Sequence, residues 1–588
     1  MDETERKPRI VIFDLNAHRV QRIAALPDQT SLRSLLWSDS ETLLATLSED
    51  SESQGATYRA RTYFITAALN PLSEGALMLP SSGGHGPGAN AALKARMIRA
   101  QTTKPHTVIM SIGENLLEVD TVTGKAEKIK VGNKLTVGWA VDQNGKPAAR
   151  EDWDWKTGAY RVYALHDQSI KEILHTEDSS APTLVGMLPD NSGLVLLASN
   201  GRAHESIWAL PLDGSPQKLL AEDPDADITN VYPDPYTGAM VGYYSSGTKT
   251  DVQRIDATAQ RRQEVLQRSF PNYEVDVYGW TTDGSKTVAR VLSPSSPPVY
   301  YLIDFKTHRA DIAAEEYPAL TGVKLGDFKE IKYKARDGTE IPAYLTLPPQ
   351  SASAVHPLIV LPHGGPNERD YPTFSWIVQF LASRGYAVLQ PQFRGSSGFG
   401  DAFQKAGYRQ WGGLMQDDVT DGVRAMIEQQ VADPKRVCIV GFSYGGYAAL
   451  AGASFTPDLY KCAVSVNGVS DLRAMLNETV PQSAPGVRVY SASMSTWNER
   501  IGAPTDRDLD RKSPIHSIES IKAPILIVYG NSDSIVPNDQ SLKMEAALRS
   551  AGKPVTLVKL PEEDHWLSRT ATRVQLLNTL ESFLHDNL

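Results

Sequence analysis

The chain has 588 residues, 41% hydrophobic and 22% charged, more than one compact core holds and unlike a disordered or fibrous polymer. With 59 basic and 69 acidic residues the formal charge is −10, which speaks against an electrostatic grip on nucleic acid or on an anionic membrane. The two cysteines, Cys438 and Cys462, lie in apolar runs. They read as buried small hydrophobes, and their number excludes a disulfide framework or a cysteine-rich metal site.

The first nine residues carry no apolar signal region, and no stretch reaches the roughly 18 apolar residues of a membrane span. As given, the chain reads as cytoplasmic. Its first strand-like run begins within ten residues of Met1, with no turn and strand before it to complete a unit. A segment upstream is therefore expected, and a signal peptide there would make the protein periplasmic or secreted.

From Arg9 to about Thr321 the sequence is a succession of short β-type runs separated by turns, with few amphipathic helices. Ile10–Leu15, Leu116–Asp120, Leu194–Ala198 and Val299–Asp304 are examples, and Gly124, Gly214 and Gly284 mark hairpins. Aspartates recur in comparable turn segments at Asp142, Asp190, Asp234 and Asp283, at intervals of 48, 44 and 49 residues, and Asp39 lies 103 residues before the first of these. One four-stranded unit cannot bury both faces without neighbours, so such a period predicts a β-propeller, here of six or seven blades. The glycine-rich stretch Ser81–Gly88 reads as a flexible loop.

After Phe328 apolar strands alternate with helical patterns. Pro357–Pro362, Ala387–Leu389, Val437–Val440, Ala463–Val466, Ile525–Val528 and Val555–Val558 read as strands. Helices are expected at 376–384, 417–430, 448–453 and 570–584. That alternation predicts a mostly parallel sheet covered on both faces, and hence two domains, a propeller over 1–325 and an α/β-hydrolase fold over 326–588.

Gly441-Phe-Ser443-Tyr-Gly445 matches the G-x-S-x-G elbow, with an apolar strand before it and a small-residue helix after it. A serine hydroxyl needs a histidine base, and the base needs an acceptor that fixes its tautomer. In the chain order Ser, Asp, His, the partners are Asp533, after the strand Ile525–Tyr529, and His565, after Val555–Leu560. Asp564 is the weaker candidate acid because neighbouring side chains diverge, and His516 reads as an ordinary surface or core residue. The oxyanion of acyl transfer needs two donors about 3 Å away. The Tyr444 N–H is one, and the turn after the strand Leu358–Leu361 supplies the other, Gly365, with Gly364 the close alternative. No metal-ligand cluster or phosphate loop is present, so neither metal nor organic cofactor is expected.

These residues lie in His363-Gly-Gly-Pro366, Phe393-Arg-Gly-Ser-Ser-Gly-Phe-Gly400, Gly441-Phe-Ser-Tyr-Gly-Gly-Tyr447, Asp533-Ser-Ile-Val-Pro537 and Glu563-Asp-His565. Together the motifs resemble the prolyl oligopeptidase family of serine peptidases, in its branch of acylaminoacyl-peptidases and bacterial dipeptidyl-peptidases. The resemblance implies a serine-type peptidase acting on short peptides near their N-termini, under a propeller that caps the site. Two departures stand out. Prolyl oligopeptidases place a tyrosine phenol where this chain has His363, which makes a backbone second donor the expectation here. Some relatives also place Arg or Asn two residues after the acid, where this chain has Ile535.

By the same resemblance, Val469 to Leu476, with Leu472 and Met475, would line an apolar P1 pocket. Arg369 and Arg394 could hold a substrate carboxylate or carbonyl, although Arg394 reads more readily as a structural pin satisfied by backbone carbonyls. Glu151, Asp152 and Asp154 could receive a peptide amino terminus, or defend an exposed strand edge. The alternative activities are a carboxylesterase or amidase on small substrates and, remotely, a non-catalytic propeller binding protein. Short peptides are the expected partners. The sequence leaves the oligomeric state open, a homo-oligomer included.

Overall fold

The computed structural model describes residues 9–14, 19–26, 30–52, 60–70, 75–80, 95–142, 144–154, 157–166, 169–177, 181–233, 240–245, 251–255, 257–281, 283–349, 355–478 and 494–588. Its first half is a six-bladed β-propeller. Blades one to four span residues 30–79, 95–131, 136–176 and 183–221 and have four antiparallel strands each. Blade five, 228–254, has three, and blade six, 274–315, again has four. A separate hairpin of Arg9–Asp14 and Arg19–Ala25 packs Ile10 and Ile12 against Leu43, Ala45 and Leu47 of blade one.

Blades one to five pack face to face in succession. Leu44 and Ala68 of blade one meet Val108 and Met110 of blade two, Ile109 and Leu116 meet Trp139 and Val141 of blade three, and Val195 and Ile207 of blade four meet Ile228 and Met240 of blade five. The period read from the turn aspartates has a structural cause. Asp39, Asp142, Asp190 and Asp283 each sit between the first and second strands of a blade, and each Oδ1 accepts the N–H two residues on, from Glu41, Asn144, Ser192 and Ser285 at 2.8–3.0 Å. In blade two Thr102 takes the place, its Oγ1 accepting from the Lys104 N–H at 3.1 Å. Asp234 and the loop 81–88 lie outside the described residues. The helix Ala257–Ser269 was not legible in the sequence because it buries only Gln263 and Leu266 and has no apolar stripe.

The second half is built on one eight-stranded sheet. Counted within that sheet, its strands are β1 (Asp327–Lys334), β2 (Glu340–Leu347), β3 (His356–Val360), β4 (Ala387–Pro391), β5 (Ala432–Phe442), β6 (Cys462–Val466), β7 (Ile525–Gly530) and β8 (Val555–Leu560), in spatial order β1-β2-β4-β3-β5-β6-β7-β8. β1 and β2 are antiparallel to their neighbours and the rest are parallel. Alternation along the strands makes two cores. Val437 and Ile439 face α2 (Leu414–Glu428) and α3 (Tyr444–Phe455), while Cys438 and Val440 face α1 (Trp376–Ser383) and Leu576, Leu580 and Leu584 of α4 (Thr570–Asn587).

The reading of the cysteines as two separate hydrophobes is corrected. Cys438 and Cys462 are direct partners on the adjacent strands β5 and β6, 4.8 Å apart at Cα, and form a disulfide. Two cysteines rule out a framework of several bridges, but this register allows one.

Successive turns of an antiparallel blade alternate between its two ends, so the aspartate turns lie at one end and the turns between second and third strands at the other. The latter end meets the hydrolase domain. In blade four, Ser199 Oγ donates to Asp401 Oδ2 at 3.2 Å and the Ala203 carbonyl accepts the Asp401 N–H at 3.1 Å. Asp227 Oδ2 accepts the Gly400 N–H at 3.0 Å. In blade six, the Pro294 carbonyl accepts from Gln379 Nε2 at 2.8 Å, and Ser295 Oγ donates to the Gly326 carbonyl at 2.6 Å.

Arg394 is a structural pin, but its partners are carboxylates rather than carbonyls. Nε and Nη2 donate to Asp418 at 2.7 and 2.6 Å, and Nη1 donates to Asp337 at 2.8 Å. The Asp418 side chain is 0% exposed. Removing one member of such a pair strands a buried charge. Arg394→Ala is therefore expected to lower the unfolding free energy by about 3–5 kcal/mol, read as a reduced denaturant midpoint against wild type.

Candidate active site

β5 runs without a break into α3 through Ser443, whose φ of +58° and ψ of −120° lie in a region non-glycine residues avoid. The turn is forced by crowding. A Cβ on Gly441 would stand 2.0 Å from the Gly445 carbonyl oxygen, and one on Gly445 would stand 2.1 Å from the Pro362 oxygen. The second contact presses the elbow against the end of β3. There Gly364 lies so near that a Cβ on it would be 3.5 Å from Ser443 Cβ. Gly365 follows at a φ of +115°, in a turn tied to the next loop by Asn367 Nδ2 donating to the Gly395 carbonyl at 3.0 Å.

The ends of β5 to β8 are linked in one row. The Ser443 N–H donates to the Val466 carbonyl at 2.9 Å, the Asn467 N–H to Val528 at 2.9 Å, and the Asn531 N–H to Leu560 at 3.0 Å. Asn467 Oδ1 also accepts the Gly530 N–H at 2.8 Å, a brace that no motif announced. This row brings Ser443, Asp533 and His565 to one edge of the sheet.

Asp533 is 6% exposed. Its Oδ1 accepts the N–H groups of Ile535 and Val536 at 2.8 and 2.9 Å, and its Oδ2 stands 2.7 Å from His565 Nδ1. With a carboxylate as acceptor, Nδ1 carries the proton and Nε2 is left as an acceptor. The Asp564 carboxylate is turned to other work, accepting the Trp566 N–H at 2.9 Å and the Ser568 Oγ–H at 2.7 Å. Glu563, fully buried, accepts the Asp564 N–H at 3.0 Å and a hydrogen bond from Thr572 Oγ1, and its burial raises its pKa.

His363 donates from Nδ1 to the Gly364 carbonyl at 2.7 Å, its Nε2 stands 2.7 Å from Ser396 Oγ, and its ring stacks on Phe393 at 4.3 Å. Burial holds its pKa down at about 4. Arg369 is buried with its guanidinium 4.3 Å over Phe399, and its Nη2 donates to Tyr344 Oη at 3.3 Å. Leu472 is fully buried and Met475 nearly so, in the apolar cluster that holds Tyr444.

The acidic run at 151–154 does not guard an exposed edge. Its strand, Pro147–Trp153, is the second of blade three and is paired on both sides, which buries Glu151 and Asp152. Tyr160 Oη donates to Glu151 at 2.7 Å, and Asp152 accepts from Asn133 Nδ2, Thr136 Oγ1 and Arg150 Nη2 at 2.8–2.9 Å. Among the described residues no group of histidine, cysteine and acidic side chains is arranged to hold a metal, and no helix is long and apolar enough to cross a membrane.

A strained serine between a parallel strand and a small-residue helix, in a sheet of this order, defines a serine hydrolase of the α/β class. Residues 372–588 match the model of the prolyl oligopeptidase family. The dipeptidyl aminopeptidase BIII of Pseudoxanthomonas mexicana is 29% identical over 499 residues, which cover 82% of this chain and 71% of that protein. The acylamino-acid-releasing enzyme of Rattus norvegicus is 26% identical over 331 residues, 52% of this chain but less than half, 43%, of that enzyme. Among solved structures, a puromycin-hydrolysing peptidase of Mycobacterium tuberculosis shares the fold with a TM-score of 0.68, over 95% of each chain and at 17% identity. The family match thus falls within the half of the chain that carries the eight-stranded sheet.

The buried imidazole gives a pH signature. Between pH 6.5 and about 4 the unfolded chain binds a proton at position 363 that the folded protein does not, so stability falls as pH falls through this window. In thermal melts from pH 7 to 4, His363→Gln is expected to lose less of its melting temperature than wild type. An equal loss in both would show that His363 is not the source.

Proposed function

We propose that this protein hydrolyses short peptides near their N-termini through an acyl-enzyme on Ser443, in a chain divided into a propeller (1–325) and a catalytic domain (326–588). The observation that carries the reading is the 2.7 Å contact between His565 Nδ1 and Asp533 Oδ2, at the sheet edge that also holds Ser443 at positive φ. Ser443 Oγ attacks the scissile carbonyl while His565 Nε2 takes its proton, and Asp533 keeps the imidazole in the accepting tautomer and stabilises the imidazolium. His565 then returns the proton to the leaving amine. A water, deprotonated in turn by His565, cleaves the ester on Ser443.

The developing oxyanion is received by the N–H groups of Tyr444 and Gly365. His363 is excluded from that role because both of its nitrogens are engaged with Gly364 and Ser396. Leu472 and Met475 belong to the apolar wall behind Tyr444, which favours an uncharged, apolar P1 residue. Arg369, on its aromatic shelf of Phe399 and Tyr371, is the candidate to meet a substrate carbonyl. The names of the relatives support both the removal of dipeptides and the release of blocked residues. Parallel turnover of dipeptidyl, acetyl-aminoacyl and simple ester substrates decides between these and a plain esterase.

Ser443→Ala is expected to lower turnover by several orders of magnitude with the fold intact, because the triad acts as a unit. Asp533→Asn should cost about 10⁴ in kcat, and a fluorophosphonate should label Ser443 in the wild type. Retained activity in the alanine variant, or a crippling Asp564→Asn beside a harmless Asp533→Asn, would overturn the assignment.

A further inference from the structure

The propeller reaches into the loop that carries His565. Arg33 lies in the first strand of blade one, Thr30–Trp37, towards the end that faces the hydrolase domain. Its Nη2 donates to Asp564 Oδ2 at 3.1 Å, and its guanidinium lies over the Trp566 ring, 4.8 Å from the centroid. The two residues it holds flank His565 on either side. Arg33 is itself braced within its blade, its Nε donating to Ser48 Oγ at 2.7 Å.

Two features set this contact apart from an ordinary surface ion pair. The Asp564 side chain is 4% exposed, so the bond to Arg33 is shielded from water and salt. Asp564 also organises its own loop through the Trp566 N–H, the Ser568 N–H and the Ser568 hydroxyl, so a force on its carboxylate is passed to the backbone around His565. Trp566, by contrast, is 48% exposed, and core packing alone does not fix it. Arg33 covers part of that ring.

We propose that Arg33 is a positioning residue for His565, which makes the reacting geometry depend on the propeller being docked on the hydrolase domain. The inference rests on the triad reading given above. Among the described residues, the contacts of Arg33 with the histidine loop are to Asp564 and Trp566, and its effect on His565 runs through them. A displacement of about 1 Å at a reacting group costs on the order of 10²-fold in rate. Arg33→Ala should therefore lower kcat by about 10- to 100-fold with little change in KM.

Steady-state kinetics and the rate of fluorophosphonate labelling at Ser443 are measured for wild type, Arg33→Ala, Arg33→Lys and Asp564→Asn. Arg33→Lys keeps the charge and loses the planar fork, so it should recover part of the loss. Arg33→Ala combined with Asp564→Asn should be slowed by less than the product of the two single losses, because the two variants share the Arg33–Asp564 bond. If Arg33→Ala does not fold, Arg33→Lys and Trp566→Leu carry the same test. A wild-type protein that is labelled at Ser443, beside Arg33 variants that label equally fast or lose only in KM, overturns this proposal and leaves the triad standing. A wild-type protein that neither labels nor turns over any substrate overturns the triad reading itself.

Discussion

The turn at Ser443 is among the tightest places in the described residues, and much of the catalytic domain is arranged around it. Side chains at Gly441 and Gly445 would overlap backbone oxygens by more than an ångström, so β5, the serine and α3 can meet only through glycine. The same closeness sets Gly445 against the Pro362 carbonyl and thereby fixes the end of β3 beside the serine. Ser443 and the glycine turn proposed to supply an oxyanion donor are thus placed by one packing constraint rather than by two independent loops. The cost of holding Ser443 at positive φ is met by the buried sheet and the apolar cores on both of its faces.

The proposed acid and base arrive differently. Asp533 and His565 lie in loops that follow β7 and β8, and loops need ties. Asp533 is held by two backbone N–H groups, and the histidine loop by Glu563 from within and by Arg33 from the propeller. The propeller accordingly has two ends with different duties. At one end the aspartate turns close hairpins, and the opposite end supplies Ser199, Ala203, Pro294 and Ser295 as contacts to the hydrolase domain.

The catalytic half was the more legible in the sequence because its chemistry sits in short local motifs: an elbow, a glycine turn and two loops after apolar strands. The propeller was legible through one recurring side-chain-to-backbone bond, which repeats because each blade needs the same hairpin. What could not be read depends on distant pairing. Nothing near Cys438 announces that Cys462 lies opposite it on the next strand, and nothing in blade one announces that Arg33 meets Asp564. The acidic run at 151–154 misled for a related reason: whether a charged strand is an edge or an inner strand is decided by its neighbours, and in this blade they cover it on both sides. Arg394 shows the same limit, since its carboxylate partners come from a turn 57 residues upstream and a helix 24 residues downstream.

The proposed reading sets Ser443 under the propeller, as the family resemblance implies, so that substrate would reach it by a gap or a channel rather than from open solvent. The direct measurement compares cleavage of one susceptible sequence presented as a free peptide of about ten residues and as a loop of a folded protein. The account predicts turnover of the peptide and none of the folded protein. Comparable rates for both would contradict it, and would mean that the hydrolase works as an open site on which the propeller has no hold.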